Sequence, residues 1–185
     1  MGIIVIEGCD CAGKGTLAEQ LARKTGYEIV KGSSFEIAQL GVDGMYKHMM
    51  GLLKRDNIII DRFYLSNYVY GNLYNYPTMS NHQFVTLAEV TDERALTIIV
   101  EAFPQVIKDR MRKRGDEDIK VEEIDNILAK YNEALNDSNP EAPIVKPKMS
   151  IRYDSSLDYE NELFATMIAE MMKLQETQMY IRGTK

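Results

Sequence analysis

Short apolar runs alternate along this chain with longer stretches in which apolar residues return at helical spacing. Ile3-Ile4-Val5-Ile6, Tyr27–Lys31, Asn57–Asp61 and Ala95–Val100 are rich in β-branched residues and predict strands, and Met149–Tyr153 predicts a fifth. Between them the spacing predicts helices over 14–25, 34–54 (interrupted near Gly41 and Gly44), 65–74, 80–93, 104–114, 120–136 and 159–179. Ser80 is placed as an N-cap, Pro77 as a break and Pro104 as the first residue of its helix. Gly115-Asp116-Glu117-Asp118 reads as a charged break and 140–147 as a Pro-rich loop. In the last helix Leu163, Met167, Met171 and Leu174 share one face, expected to pack in the core or against a second copy in a homodimer.

Strands alternating with helices predict an α/β fold: a five-stranded parallel sheet with helices on both faces. No repeat or linker-like shift divides the chain, so residues 1–185 read as a single domain. In such a sheet, ligands bind beyond the carboxyl ends of the strands. Those ends carry Gly8–Lys14, Lys31–Glu36, Asp61-Arg62, Glu101 and Asp154-Ser155.

Composition narrows the classes. The 22 basic and 28 acidic residues give a net charge of −6, which argues against a nucleic-acid binder needing a basic face. The two cysteines, Cys9 and Cys11, are too close on a turn to bridge each other, as expected for reduced thiols in the cytoplasm. The first apolar run is too short for a signal peptide and no run is long enough to cross a membrane, so no membrane partner is expected.

The chemistry begins directly after the first strand, at Gly8-Cys9-Asp10-Cys11-Ala12-Gly13-Lys14-Gly15-Thr16. A strand, a glycine-bounded turn and a helix start place backbone N–H groups around an anion, and Lys14 can reach β- and γ-phosphates. Phosphate-loop proteins usually carry Ser or Thr directly after the lysine; here Gly15 intervenes before Thr16. That order is similar to adenylate-type nucleotide kinases, in which Mg²⁺ keeps more of its water. Asp61, at the end of the third strand, can hold Mg²⁺ directly or through water, and Arg62 can clamp a phosphate with its planar fork. Arg110-Met111-Arg112-Lys113-Arg114, ahead of the charged break, has the composition of a closing lid over about 110–120, supplying cations to a γ-phosphate and excluding water. Tyr64, Tyr68, Tyr70, Tyr74 and Tyr76 follow the Asp-Arg pair; most are expected to pack the helix and at most two to touch a ligand. Phe35, Tyr46 and Met49 are further candidates for an acceptor pocket, and His48 and His82 are assigned no role.

Ile6-Glu7 with the phosphate loop, Asp61-Arg62-Phe63 with Ser66 and Tyr70, and Arg112-Lys113-Arg114-Gly115 with Asp118 resemble thymidylate kinase, over residues 3 to about 135. The resemblance implies a P-loop kinase fold, ATP and Mg²⁺ as cofactors, and transfer of the γ-phosphate to a deoxynucleoside monophosphate as the small-molecule partner. It implies that Asp10 contacts the acceptor sugar and organises the arginine, that Arg62 lies near the acceptor phosphate, and that Phe35, Glu36, Ser66 and Tyr70 border the acceptor. Residues 8–16, with Asp154 and Ser155, would hold ATP, and Lys14, Arg62, Asp10, Arg112 and Arg114 would carry catalysis. Some members place a catalytic arginine where this chain has Cys11, which moves that task to Arg112 and Arg114. Departures cluster on the acceptor side: Lys31–Glu36 replaces the family's Glu-Pro-Gly-Gly-Thr segment, and Tyr70-Gly71-Asn72 replaces Tyr-Gln-Gly. Deoxynucleoside kinases, which carry Glu-Arg-Ser at the Asp61 position, are the alternative, with Glu36 or Asp61 as base; a non-catalytic ATP-binding module is a third reading.

Overall fold

β1 (Ile3–Glu7), every residue of which is buried, runs through the middle of a five-stranded sheet. The computed structural model describes residues 2–115, 119–136, 146–157 and 161–183. All strands are parallel and their order is β2-β3-β1-β4-β5, with β2 at Glu28–Lys31, β3 at Ile58–Asp61, β4 at Ala95–Glu101 and β5 at Ser150–Asp154. The three central strands are the apolar ones. β2 and β5 are edges, and Glu28, Lys31 and Arg152 keep them polar, which discourages further strand pairing.

The order of the strands explains where the helices lie. The chain leaves β1 toward the β2 edge through α1 (Lys14–Thr25) and then returns past β1 toward β5. Right-handed crossovers running in opposite directions put their helices on opposite faces. Accordingly α1 packs against α8 (Asn161–Gly183), whereas α4 (Tyr64–Tyr74) contacts both α5 (Asn81–Arg94) and α7 (Ile124–Leu135), and α7 contacts α6 (Pro104–Arg114). The direction reverses at β1, so the loops after β1, β3 and β4 part there and leave a crevice above the sheet.

The predicted 34–54 helix is two helices, α2 (Phe35–Ala38) and α3 (Gly41–Leu52), broken at Gln39-Leu40 just before Gly41. Ser80 caps α5 in a full capping box with Gln83, and Pro104 opens α6. The 120–136 helix begins with a 3-10 turn, Val121–Glu123. Residues 116–118 of the charged break, 140–145 of the Pro-rich loop and 159–160 of the last helix lie outside the described residues. In the last helix Met171 packs against the core, whereas Leu163, Met167 and Leu174 are exposed, and Ala165, Ile168, Ala169 and Met172 form the face buried in the core. Small residues at 165 and 169 allow α8 to lie close on α1, which the bulkier face would prevent. Among the described residues, no helix is long and apolar enough to cross a membrane.

Candidate active site

The phosphate loop starts at a backbone position that only glycine fits. Gly8 has φ 141°, and a Cβ there would collide with the Val100 carbonyl of β4. The loop ends at Gly13, φ 98°, the N-cap of α1, where no side chain caps the helix. The first amides of α1 are therefore available to an anion. Lys14 is buried and donates 2.7 Å to the Cys9 carbonyl. Burial and the nearby Arg62 charge push its pKa down to about 8, against the pull of Asp10 and Asp61. The Cys9 thiol, buried beneath the loop and next to Asp10, is pushed up to about 12 and is a packing group rather than a nucleophile.

Arg62 crosses this loop from the end of β3. Its backbone is left-handed, φ 60°, an unfavourable region for a residue with a long side chain. Its amide donates 3.0 Å to the Ile6 carbonyl, which fixes the turn. The turn sends the guanidinium over the loop, where it pairs with Asp10 and donates 3.3 Å to the Gly8 carbonyl. It also lies over the Tyr70 ring, 5.0 Å from its centroid. The Tyr70 hydroxyl donates 2.5 Å to the other Asp10 oxygen. Burial acts to raise the Asp10 carboxyl, but Arg62, Lys14 and Tyr70 outweigh it and hold the pKa below the usual aspartate value.

Two cavities meet at this cluster. One, of about 630 Å³, follows the phosphate loop past Lys14, Gly15, Thr16 and Asp61. The other, of about 460 Å³, is bordered by Phe35, Glu36, Tyr74 and Tyr76. Asp10, Arg62 and Arg114 line both. In the second cavity the rings form a continuous wall. Phe35 meets Tyr76 edge-on at 6.1 Å, Tyr76 stacks with Tyr74 at 5.9 Å, and Tyr74 stacks with Tyr70 at 6.0 Å. A planar ring has apolar surface to bind there, and the wall leads it to the arginine.

The arginines of α6 divide by helical phase. Arg110 donates 2.9 Å to the Ser155 hydroxyl and 2.6 Å to the Ser155 carbonyl, and it reaches the Cys11 carbonyl at 3.5 Å. Arg114, four residues on and on the same face, lines both cavities. Arg112 points the other way, pairs with Asp109 at 2.8 Å and does not border either cavity. The structure therefore does not bring Arg112 to the cavities with Arg114, and the 3.6-residue period is the physical reason. The same period sets Arg110, expected only as part of the basic segment, on the face of Arg114. Residues 116–118 of the expected lid lie outside the described residues, and Ile119 borders the aromatic cavity.

Other expected residues sort as follows. Gly8, Cys9 and Ala12 are buried under the loop, while Asp10, Cys11, Gly13, Lys14, Gly15 and Thr16 line the cavity. Ser155 lines it too, and its hydroxyl bonds the Ala12 carbonyl. Asp154 does not line it: its carboxylate accepts 2.8 Å from the Ser156 amide and shapes the turn after β5. Ser66 borders the aromatic cavity, but its hydroxyl is bonded to Glu7 and Tyr131 beneath it. Tyr64, Tyr68 and Met49 are core, and Tyr46 packs against the core without bordering the cavity. Tyr70, Tyr74 and Tyr76 border the cavity, along one edge of α4 and the loop after it.

Asp61 Oδ1 is buried and has no hydrogen-bond partner. Asp61 and Thr16 both line the loop cavity, and their side chains carry hard oxygen donors. No group of three or more metal-ligating side chains occurs among the described residues. Such a site suits an ion that brings water and phosphate oxygens as its other ligands, as Mg²⁺ does.

No protein-family model matches the chain. The SPbeta prophage-derived protein YorR of Bacillus subtilis is 39% identical over 139 residues, covering 75% of this chain and 84% of YorR. A crystal structure of YorR in complex with phosphorylated GDP matches with a TM-score of 0.77 and 32% identity, over 95% of this chain and 98% of that one. More distant likenesses concern the fold alone. Deoxyadenosine kinase from M. mycoides with bound dCTP has a TM-score of 0.53 at 21% identity, over 94% of this chain and 99% of that one. Shikimate kinase from Bacteroides thetaiotaomicron has 0.56 at 15%, over 93% and 98%. The shared architecture is the P-loop kinase fold, as the loop and the alternation of strands and helices imply.

Proposed function

The chain belongs to the YorR family, and on that premise we propose that it transfers the γ-phosphate of ATP to a deoxynucleoside monophosphate, as thymidylate kinase does. The observation that carries this reading is the meeting of two cavities at Asp10, Arg62 and Arg114. A phosphate donor on the loop side and a nucleotide on the aromatic side would present their phosphates to the same cations. Phosphoryl transfer needs this kind of placement more than covalent help.

In this reading the loop amides and the start of α1 hold the donor phosphates, and Lys14 leaves the Cys9 carbonyl to bind them. The ring wall from Phe35 to Tyr74 stacks the acceptor base, and Arg62, fixed by Asp10 and Tyr70, clamps its phosphate. Arg110 and Arg114 close over the transferring group and take over the charge that a loop arginine supplies in some thymidylate kinases, where Cys11 stands here. Asp61 and Thr16 would hold Mg²⁺, which neutralises phosphate charge when bound. YorR was crystallised with phosphorylated GDP, so a guanine nucleotide is the first acceptor to try.

A nucleoside acceptor is the second reading, favoured by Glu36, a carboxylate on the wall of the aromatic cavity that could accept a hydroxyl proton. Measuring ATP consumption against each deoxynucleoside and each monophosphate separates the two. Turnover with monophosphates only supports the first reading; turnover with nucleosides only replaces it with the second.

A further inference from the structure

Behind the phosphate loop lies a buried chain of hydroxyl and carboxyl groups that phosphoryl transfer does not use. Glu7, the last residue of β1, is completely buried. Its Oε1 accepts from the Phe63 amide at 2.9 Å and from the Ser66 amide at 3.2 Å, at the start of α4. Its Oε2 lies 2.5 Å from Ser66 Oγ. Ser66 Oγ lies 2.9 Å from the Tyr131 hydroxyl of α7, and that hydroxyl donates 3.0 Å to the Gly8 carbonyl.

Counting protons bears on the charge of Glu7. Three hydrogen bonds link Glu7, Ser66, Tyr131 and Gly8, yet the two hydroxyls own only two protons. A carbonyl cannot donate, so the tyrosine proton goes to Gly8. If Glu7 were ionised, the serine proton would go to Glu7, and the serine and tyrosine oxygens would face each other with lone pairs alone. For all three contacts to carry a proton at once, alongside the Arg62 bond that the Gly8 carbonyl also accepts, the third proton has to come from Glu7 Oε2. We infer that Glu7 is a neutral carboxylic acid that donates to Ser66, which donates to Tyr131, which donates to Gly8, and that Glu7 and Tyr131 are positioning residues for the phosphate loop.

The division of partners between the two carboxyl oxygens agrees. Both amides fall on Oε1, which has the two lone pairs of a carbonyl oxygen, and none falls on Oε2. The groups facing Glu7 are Arg62, Tyr64, Ser66 and Tyr131. The Arg62 guanidinium is the positive one, and its hydrogen bonds go to Asp10 and the Gly8 carbonyl. Burial lifts the Glu7 carboxyl above its ordinary range, outweighing the bonds from Ser66 and Phe63 and the Arg62 charge. The consequence is functional. A carboxylate at this depth would oppose the anion the loop is built to hold, and a neutral acid does not. The chain also ties α7, the helix beyond the lid segment, to the carbonyl that Arg62 shares, so the first peptide of the loop registers the position of that helix.

The inference is independent of the acceptor, and its test uses nucleotide binding and spectroscopy. In the full-length protein with ¹³C-labelled glutamate, the Glu7 carboxyl signal, assigned by its loss in Glu7→Gln, should keep the shift of a protonated acid from about pH 6 to about pH 8. A carboxylate shift across that range overturns the proposal. Glutamine offers the same pattern, a carbonyl to the two amides and an N–H to Ser66, so Glu7→Gln should fold and bind ATP within about twofold of wild type. Failure to fold, or loss of binding, overturns it. Tyr131→Phe keeps the ring and removes the donor; ATP affinity should fall about three- to tenfold with the melting temperature close to wild type, and unchanged affinity overturns the positioning role.

Discussion

Arg62 is bound to Asp10 across the phosphate loop, so the residue after β3 and the carboxylate of the loop form one unit where the two cavities meet. The pairing is maintained by an arginine with a left-handed backbone, an arrangement whose cost of about 1–3 kcal/mol persists only where the surroundings impose it. The Asp10–Tyr70 bond fixes the other side of the carboxylate. The guanidinium is thereby presented in one orientation before any ligand arrives.

Replacing Arg62 should therefore act on the acceptor more than on ATP. Arg62→Ala is expected to lower kcat/KM for the acceptor by roughly ten- to hundredfold, the value of a hydrogen bond to a charged group. Arg62→Lys should recover little, because an ammonium cannot bridge Asp10 and a phosphate with a planar fork. Steady-state kinetics with the acceptor varied checks both.

Lys14 gives a prediction with opposite signs for function and stability. Its folded-state pKa of about 8 lies below the value of 10.5 for an unperturbed lysine. Between those values the unfolded chain binds more protons, so this group's contribution favours the fold increasingly as pH rises from about 8. At neutral pH it is a cost. Lys14→Met should abolish turnover and raise nucleotide-free stability by on the order of 1–3 kcal/mol in denaturant titration at pH 7. Phosphates should restore the lysine's affinity for its proton, so ATP binding near pH 8 should take up protons, read as a buffer-dependent heat in calorimetry.

The arginines of α6 should separate by phase. Arg114→Ala is expected to lower kcat at least about tenfold with a smaller effect on ATP binding, since it faces charge that develops during transfer. Arg112→Ala should stay within about twofold of wild type, because an exposed i,i+3 pair with Asp109 contributes little. Equal losses in the two variants would mean that α6 turns when ligands bind.

The contrast between these arginines also shows what could be read from the chain. β1, β3, β4 and α1 follow from apolar runs and helical spacing, and the loop's chemistry is local in sequence, so both were legible. The junction was not. It depends on Arg62 being left-handed, on Arg110 meeting Ser155 across 45 residues, and on Tyr131 reaching Gly8 across 123. Each is set by how α4, α6 and α7 pack against the sheet, and no local pattern encodes that. Arg112 stays away from the cavities because it stands half a turn round α6 from Arg110 and Arg114, a phase that residue type alone does not give.

Asp61→Asn should raise the Mg²⁺ concentration needed for half-maximal turnover several-fold while leaving the fold intact, since Oδ1 has no protein partner to lose. A Mg²⁺ titration of both proteins checks this; an unchanged requirement would remove Asp61 from the metal site.

Following the terminal phosphate itself tests the central claim most directly. The protein is incubated with γ-labelled ATP and Mg²⁺, and each deoxynucleoside monophosphate is added in turn. The account predicts label in a deoxynucleoside diphosphate, for at least one base, in wild type and in Arg112→Ala, with none in Lys14→Met. Label found only in inorganic phosphate, or remaining on ATP with every monophosphate, would contradict it.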